Sequence, residues 1–267
     1  MKQRALDVVA GRPEAASGVN LLREYVQSRI LGQMQESGAF VPLAFMGGTA
    51  LRFLYRIPRF SEDLDFTLER GSEEFELQGM IRRIQRGLTR EGYSVRVRLN
   101  DATTVARAMI GFAGLLAEAD LSPHAGEVLW VKLEVDTAPP AGAGLSVTTI
   151  DRFGPLRIQH HDLPSLFAGK LAAVLAREYS KGRDYYDLMW YLSQTPPVEP
   201  NPGLLHAALQ QTAPGLVDAA ADDWRAVLET KLARVDWAEV RRDIAPFLEQ
   251  SRDLELLEPG TFKQLLG

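Results

Sequence analysis

The sequence predicts an α/β (α+β) protein in which a small mixed sheet with flanking helices precedes a helical C-terminal subdomain. Runs of strand length that are apolar or alternate in polarity, such as residues 41–45 and 128–136, lie in the first part of the chain. Stretches with apolar residues at helical spacing separate them, and mostly helical patterns follow residue 160. A segment with four prolines, residues 195–203, cannot continue a helix and marks a boundary. We therefore expect a first domain over residues 1–160 and the helical subdomain over residues 161–267.

The composition excludes several classes of protein. The 267 residues carry a formal net charge of −5 and contain no cysteine. Without cysteine there is no disulfide framework and no thiolate chemistry, which suits a cytoplasmic protein. We expect no membrane association, since no run is apolar enough to span a bilayer and no signal peptide is recognisable. The four histidines are scattered, which argues against a zinc site, and the negative charge argues against a whole-surface nucleic-acid binder.

The N-terminal part contains an amphipathic helix over residues 14–36, which we expect to pack against the sheet. Residues 41–45 then form a short apolar run of strand length. Gly47 and Gly48 follow, and glycines adopt backbone angles closed to other residues and leave room for a ligand. Thr49 begins a second helix, whose first N–H groups and positive dipole end attract anions. This glycine turn therefore predicts a phosphate-binding site.

Two carboxylates follow on the next predicted strand, in the sequence Asp63-Leu64-Asp65-Phe66. Asp63 and Asp65 would project from one face while Leu64 and Phe66 enter the core. A glycine pair alone is most often a turn, and Asp-x-Asp alone is common on solvated strand edges. Together they are more specific, because one short helix returns the second strand to the side of the first. A phosphate site beside paired carboxylates indicates Mg²⁺-dependent chemistry on a nucleoside triphosphate.

These residues resemble a known family. Gly47-Gly48-Thr49 followed by Asp63-Leu64-Asp65 resembles the signature of the nucleotidyltransferase superfamily, whose usual form is Gly-Ser and then Asp-x-Asp. The longer segments 47–52 and 60–66 are closer to the AbiEii/AbiGii toxins of abortive-infection and type IV toxin–antitoxin systems, which include the mycobacterial MenT toxins. Thr49 replaces the superfamily serine and keeps a hydroxyl able to bond a phosphate. The resemblance covers roughly residues 41–192 and implies a nucleotidyltransferase-like mixed sheet.

The next helix and strand form the most basic stretch of the chain. We expect a helix over residues 73–90, entered through Gly71-Ser72, and a strand over residues 93–99. A solvated face is the simpler interpretation of its arginines, and a local patch for RNA phosphates is the alternative. A strand over residues 103–116 follows, and its glycines are compatible with an edge position. The arginines are Arg82, Arg83, Arg86 and Arg90 on the helix and Arg96 and Arg98 on the strand.

The strand over residues 128–136 carries Lys132, Glu134 and Asp136 on one face. By the resemblance, a third carboxylate on this strand completes the metal site and helps to activate the attacking hydroxyl. Glu134 fits the Lys-Leu-Glu sequence of the toxin family, and Asp136 is the alternative. Charges on the open face of a half-exposed strand are the simpler interpretation of either residue. A hairpin over residues 147–150 and 156–160 follows.

A helix over residues 163–176 contains a single charge, Lys170. A lone lysine in an apolar helix either reaches solvent through its long stem or meets an anion. Arg177 lies two turns further on and shares the same face, so both side chains would aim at phosphates. The toxin family carries a lysine in this setting. Further helices are expected over residues 204–212, 216–232 and 237–249, with a short one that ends at Leu266.

The family's lysine is followed by an Arg-Asp-x-x-Asp-Leu segment, which matches residues 183–188 here. Asp184 and Asp187 lie one helical turn apart on one face, as acids near the start of a helix would. The structural alternative is that these two acids pair with Lys181 or Arg183. The resemblance favours a functional role.

We therefore predict a Mg²⁺-dependent nucleotidyltransferase that transfers NMP from an NTP to an acceptor hydroxyl and releases pyrophosphate. By the resemblance, the acceptor is the 3′ end of tRNA, the outcome is translation arrest, and a cognate antitoxin is encoded alongside. The alternatives are a transferase that modifies a protein or a small molecule, and a catalytically silent NTP-binding or antitoxin-binding module. The predicted triphosphate ligands are Gly47, Gly48, Thr49, Lys170 and Arg177; the predicted metal ligands are Asp63, Asp65 and Glu134, with Asp136 as the alternative; Asp184 and Asp187 would orient Lys170 or the acceptor.

Overall fold

The structure is a computed structural model that describes residues 1–11, 15–69, 75–101 and 103–267. The chain divides into two compact units. The first, called the sheet unit here, comprises Met1–Arg56, Phe60–Pro139 and Val147–His160. The second, called the helical unit, comprises Ile57–Arg59, Pro140–Ser146 and His161–Gly267. The predicted domains over residues 1–160 and 161–267 stay a prediction.

The described residues contain a mixed seven-stranded sheet. Its strands are β1 Leu43–Met46, β2 Leu64–Leu68, β3 Val95–Asn100, β4 Val105–Ala113, β5 Val128–Asp136, β6 Leu145–Asp151 and β7 Pro155–His161. Their order across the sheet is β3-β4-β5-β2-β1-β7-β6. Strand β2 pairs antiparallel with β1 and parallel with β5, whereas β4 pairs antiparallel with both β3 and β5. Parallel and antiparallel pairs in one sheet, together with the helices, confirm the predicted α/β class.

The helices flank the strands in the sequence and continue alone after β7. They are α1 Lys2–Val9, α2 Ala15–Glu36, α3 Gly47–Tyr55, α4 Leu77–Arg90, α5 Leu115–Glu118, α6 Leu163–Ala176, α7 Gly182–Leu192, α8 Pro202–Thr212, α9 Val217–Leu232, α10 Trp237–Ile244 and α11 Pro259–Leu266. Helix α1 was not predicted from the sequence. Within the described ranges, no helix combines the length and the apolar character that crossing a bilayer requires.

Two elements begin and end where the sequence predicts, and local signals explain both. Strand β5 alternates between buried and partly exposed side chains along its whole length. Helix α6 begins at a capped terminus, where the side chain of Asp162 accepts a hydrogen bond of 2.9 Å from the N–H of Ser165. A proline in its first turn adds to this signal.

Other boundaries differ from the prediction. Helix α10 ends at Ile244 rather than at residue 249, because Pro246 lies in a short 3₁₀ turn that follows it. The helix predicted from residue 73 is described from Leu77 onward, and its predicted entry at residues 71–74 lies outside the described residues. Residue 14, the predicted start of α2, also lies outside them.

Strand β4 is an interior strand, so the edge position suggested by its glycines is wrong. A Cβ atom at Gly111 would lie 2.7 Å from a ring carbon of Trp130 on the neighbouring strand β5. The glycine therefore makes room for an indole ring, which explains its presence within a paired strand. The edge strands of this sheet are β3 and β6.

The two faces of β2 and β5 differ sharply, and this difference positions the polar side chains. Leu64 and Phe66 on β2 are buried, which confirms the predicted alternation. On β5 the buried residues are Val131, Leu133 and Val135. The opposite face carries Asp65, Lys132 and Glu134, which are partly exposed. One side of the sheet is thus core, and the other presents charged groups.

Candidate active site

The glycine turn between β1 and α3 brings a carboxylate against the start of a helix. Gly47 has a φ of 76°, in the left-handed region that favours glycine. A Cβ atom at Gly47 would lie 2.5 Å from Oδ2 of Asp65, and Met46 is the register partner of Asp65. A residue with a side chain would therefore displace this carboxylate. Helix α3 begins at this turn, and the N–H groups at the start of a helix favour a bound anion.

Thr49 and Gln27 hold the segment that leads into β2. Thr49 is fully buried, and its hydroxyl donates a hydrogen bond to the backbone carbonyl of Asp63. Gln27 on α2 is also buried, and its amide donates to the carbonyls of Ser61 and Glu62 at 3.0 and 2.9 Å. Three successive carbonyls are therefore fixed by side chains. A phosphate contact of Thr49 stays a prediction.

The carboxylates of β2 and β5 are neighbours across a parallel strand pair. Asp65 is in register with Glu134, whereas Asp136 is in register with Thr67, further along the strands. Asp136 accepts a hydrogen bond of 3.0 Å from the N–H of Ala138. The register therefore sets Glu134, the residue that matches the Lys-Leu-Glu sequence of the toxin family, directly beside Asp65.

Lys132 connects the two strands electrostatically. Its Nζ lies 2.8 Å from Oε2 of Glu134 and 3.3 Å from Oδ2 of Asp63. Partial burial lowers the pKa of Lys132, but the hydrogen bond to Glu134 and the charge of Asp63 outweigh it, so the pKa is raised. Lys132 is therefore a cation at neutral pH, held between two of the predicted metal ligands.

Glu134 also meets a second cation. Nε of Arg107 on β4 donates to Oε1 of Glu134 at 2.6 Å. Partial burial raises the pKa of Glu134, but the hydrogen bonds and charges of Lys132 and Arg107 outweigh it, so the pKa is lowered. Glu134 is consequently ionised at neutral pH.

These side chains fit a divalent cation with a preference for oxygen ligands. The parts of the chain that are described contain no cluster of three or more His, Cys, Asp or Glu side chains with the spacing of a metal site. Mg²⁺ does not need one, since it is usually bound by one or two carboxylates together with substrate phosphates. The Lys132 ammonium, held between Asp63 and Glu134, shows that both carboxylates accept a positive charge at this place. Coordination of such an ion by Asp63 and Asp65 stays a prediction.

A second group of charges lies within the helical unit. Nζ of Lys170 on α6 lies 2.7 Å from Oδ1 of Asp184 and 2.8 Å from Oδ2 of Asp187, both on α7. Arg177, at the end of α6, pairs with the other oxygen of Asp184. Arg59 makes two contacts of 2.6 Å with the carboxylate of Asp187, and both side chains are at most 1% exposed. We call Lys170, Asp184, Asp187, Arg177 and Arg59 the buried ion cluster.

The acids of this cluster keep Lys170 charged. Burial lowers the pKa of Lys170, but the charges of Asp184 and Asp187 outweigh it, so the pKa is raised. Burial raises the pKa of Asp184, but the charge and hydrogen bond of Lys170, with Arg177, lower it to about 2. The predicted use of the two acids in orienting Lys170 is supported by these contacts, and its role in catalysis stays a prediction.

Two residues that organise these sites, Gln27 and Arg59, were not predicted from the sequence. Gln27 interrupts the apolar face of α2, and a glutamine at such a position could have indicated a buried hydrogen bond. Arg59 begins the Arg-Phe-Ser segment beside the carboxylate motif, but its partner Asp187 is 128 residues away in the sequence. No local pattern connects residues at that distance.

Solved structures share this fold. A protein from H. pylori described as a nucleotidyltransferase aligns with a TM-score of 0.58 and 22% sequence identity, over 92% of this chain and 93% of that chain. The nucleotidyltransferase toxin MenT4 from Mycobacterium tuberculosis H37Rv aligns with a TM-score of 0.53 and 17% identity, over 99% of each chain. At such identities the similarity shows the fold alone.

Sequence comparison identifies the family more directly. Among curated proteins there is no significant match. A family model described as nucleotidyl transferase AbiEii toxin, type IV TA system, matches residues 29–260. This match includes the glycine turn, the carboxylates of β2 and β5, and every member of the buried ion cluster.

Proposed function

The chain belongs to the AbiEii nucleotidyl transferase toxin family of type IV toxin–antitoxin systems, and from this we infer that it modifies the 3′ end of tRNA. Family membership makes it a nucleotidyltransferase that uses an NTP and is neutralised by an antitoxin partner. The finer proposal is that the reaction depends on Mg²⁺ and that it blocks translation. One observation supports the metal dependence: Asp65 lies against the glycine turn and in register with Glu134. The effect on translation follows from the proposed modification of the tRNA 3′ end.

The proposed reaction forms one bond and breaks one. The terminal ribose hydroxyl of the RNA attacks the α-phosphorus of the NTP, and the bond to pyrophosphate breaks. Glu134, kept ionised by its cations, takes the hydroxyl proton. Gly47, Gly48 and the N-terminus of α3 bind the triphosphate, with Thr49 as a further predicted ligand. Asp63 and Asp65 hold Mg²⁺, which when bound supplies neutralisation of phosphate charge.

We further propose that Lys170 and Arg177 offset the negative charge of the phosphates. The raised pKa of Lys170 supports a permanently charged side chain, and its two carboxylate contacts support a fixed position. Asp184 and Asp187 then act by orienting Lys170. Their alternative role, orientation of the acceptor, predicts a raised KM for RNA when either is replaced.

The direct test is incubation with each α-labelled NTP, Mg²⁺ and total tRNA, beside the double variant Asp63→Asn, Asp65→Asn. We expect label on tRNA from the unmodified protein and a loss of at least about 100-fold in the variant, at unchanged thermal stability. Omission of Mg²⁺ should have the same effect. Label on the protein itself would show a protein acceptor, and bound NTP without transfer to any acceptor would contradict the proposal and favour a silent module.

A matched pair of variants tests which carboxylate of β5, Glu134 or Asp136, is the third carboxylate of the proposed site. Glu134→Gln removes a charge beside Asp65 and should lower kcat on the order of 100-fold. Asp136→Asn removes the same charge two residues further along and should leave kcat unchanged. The reverse result would assign the third carboxylate to Asp136.

A further inference from the structure

The sheet face that carries the carboxylates also carries a line of cations from the sheet edge. In the cross-strand register, Arg98 on β3 lies beside Met109 on β4, which lies beside Lys132 on β5. Lys132 in turn reaches Asp63. Because register partners project from the same face, this row leads from the edge strand to a proposed metal ligand.

A second row parallel to the first provides an aromatic surface. Arg96 on β3 lies beside Gly111 on β4, which lies beside Trp130 on β5. The Trp130 ring passes directly against Gly111, and the guanidinium of Arg98 lies 4.7 Å from the ring centroid. Stacked guanidinium and indole groups form a flat surface of the kind on which an unpaired base stacks.

The edge arginines differ from the inner cations in their electrostatic surroundings. Arg107 and Lys132 are paired with the carboxylates, whereas Arg96 and Arg98 are exposed and form no ion pair within the described part of the chain. In a protein with a net charge of −5, this is a local concentration of available positive charge. Such charge is complementary to a phosphate backbone.

An open groove lies beside Trp130 and Lys132 and reaches Asp63. It has a volume of about 340 Å³ and is lined by Asp63, Met109, Trp130 and Lys132 among others. This volume is in the range of pockets that bind small ligands. The groove is therefore large enough for one terminal nucleotide.

We propose that the strip Arg96, Arg98, Trp130 and Lys132 binds the single-stranded end of the RNA acceptor. The arginines contact its phosphates, the Arg98–Trp130 stack supports a base, and the terminal hydroxyl is led toward Asp63. An RNA strand has negative phosphates, bases that stack and a terminal hydroxyl, so it matches the positive charge, the stacking surface and the nearby carboxylate of this strip. A protein partner would not need all three features at one place. The inference rests on the proposed function, because it assigns the acceptor of that reaction a surface.

The test compares two double variants that change the net charge equally. Arg96→Ala, Arg98→Ala alters the strip. Arg86→Ala, Arg90→Ala removes two exposed arginines of α4, which belong to the basic stretch noted in the sequence but lie outside the strip. The probe is a labelled short single-stranded RNA, whose Kd is measured as a function of salt concentration. We expect the strip variant to reduce the slope of log Kd against log salt by about 1.4, for two lost phosphate contacts, and the α4 variant to leave it unchanged.

Trp130→Ala separates stacking from charge. It should weaken RNA binding about tenfold without a change in the salt slope. In transfer assays, both strip variants should raise the KM for RNA while kcat and the Kd for NTP remain those of the unmodified protein. A purely structural defect would instead lower thermal stability and weaken NTP binding.

The binding assay does not depend on catalysis. It can therefore contradict the proposed RNA-binding strip without contradicting the proposed transfer reaction, and the reverse. If RNA binds through the strip but is never labelled, the acceptor assignment fails and the RNA surface stands. If tRNA is labelled equally well by the strip variants and the unmodified protein, the inference is overturned alone. Normal RNA binding by a strip variant that escapes neutralisation by its antitoxin would also overturn it and identify a protein interface.

Discussion

At the scale of single residues, the position of the Asp65 carboxylate depends on the absence of a side chain at Gly47. The backbone there is left-handed, and the space that a Cβ would fill is occupied by Oδ2 of Asp65. Position 47 therefore favours glycine for two reasons. Its backbone angle is unfavourable for other residues, and a Cβ atom there would collide with the Asp65 carboxylate. A proposed metal ligand and a proposed phosphate-binding turn are coupled through this one position.

Gly47→Ala should therefore reduce nucleotide transfer on the order of 100-fold, because it displaces Asp65. The matched control is Gly38→Ala, since Gly38 has a φ of 75° but nothing within 4 Å of an added Cβ. Both variants should lose about 1–2 kcal/mol of stability for the left-handed backbone. Urea unfolding and transfer assays measure the two effects, and equal activities in the two variants would contradict the role of the Asp65 contact.

At the scale of elements, ion pairs as well as apolar contacts connect α6 and α7. Lys170 lies on a helix that is otherwise apolar, and the two acids one turn apart on α7 receive its ammonium. A buried cation of this kind is tolerated only when paired and hydrogen-bonded. The stability of this helix pair consequently depends on the ionisation of Asp184.

The stability of the protein should fall as pH drops from roughly 4 to 2. The pKa of Asp184 is held at about 2 in the folded protein, against an ordinary value of 3.8. A lowered folded pKa contributes stability that is present above the unfolded pKa and is lost as pH falls through the folded one. The contribution is about 2 kcal/mol. Urea unfolding at several pH values should show a shallower acid dependence for Asp184→Asn, and identical slopes would contradict the assignment.

The elements predicted best were those whose signals are local. Strand β5 follows from its alternation and α6 from its apolar run. The link between Lys170 and the two acids of α7 was implied only by the family resemblance, and helical spacing showed no more than that the two acids share a face. The role of Gly111 could not be predicted, because a glycine that admits an indole from the next strand has the same sequence signature as one at an edge. The partners of Gln27 and Arg59 were equally hidden, since both bonds join distant parts of the chain.

At the scale of the whole molecule, the chain passes between the two units several times. It crosses after residues 56, 59, 139, 146 and 160. The helical unit therefore takes two short segments from the N-terminal half of the sequence, Ile57–Arg59 and Pro140–Ser146. The first supplies Arg59 to the buried ion cluster, and the second accepts a hydrogen bond of 2.8 Å from the N–H of Asp162 at Gly144.

A fragment of residues 161–267 should consequently be much less stable than the same residues in the intact chain. Without Arg59, the buried carboxylate of Asp187 loses one partner, a loss that typically costs about 3–5 kcal/mol. Thermal unfolding followed by circular dichroism should show no cooperative transition for the fragment. Arg59→Met in the full chain is the control for the ion pair alone, and a fragment that melts like the intact protein would contradict the expectation.

The separation of 128 residues between Arg59 and Asp187 also has a consequence for biosynthesis. Domains form during translation as soon as their parts have emerged from the ribosome, with N-terminal regions first. The buried ion cluster cannot close until the ribosome has released α7, late in the synthesis of the chain. We therefore expect that nascent or prematurely terminated chains lack an ordered Lys170, and that a producing cell meets any activity that depends on the proposed role of this residue only from finished molecules.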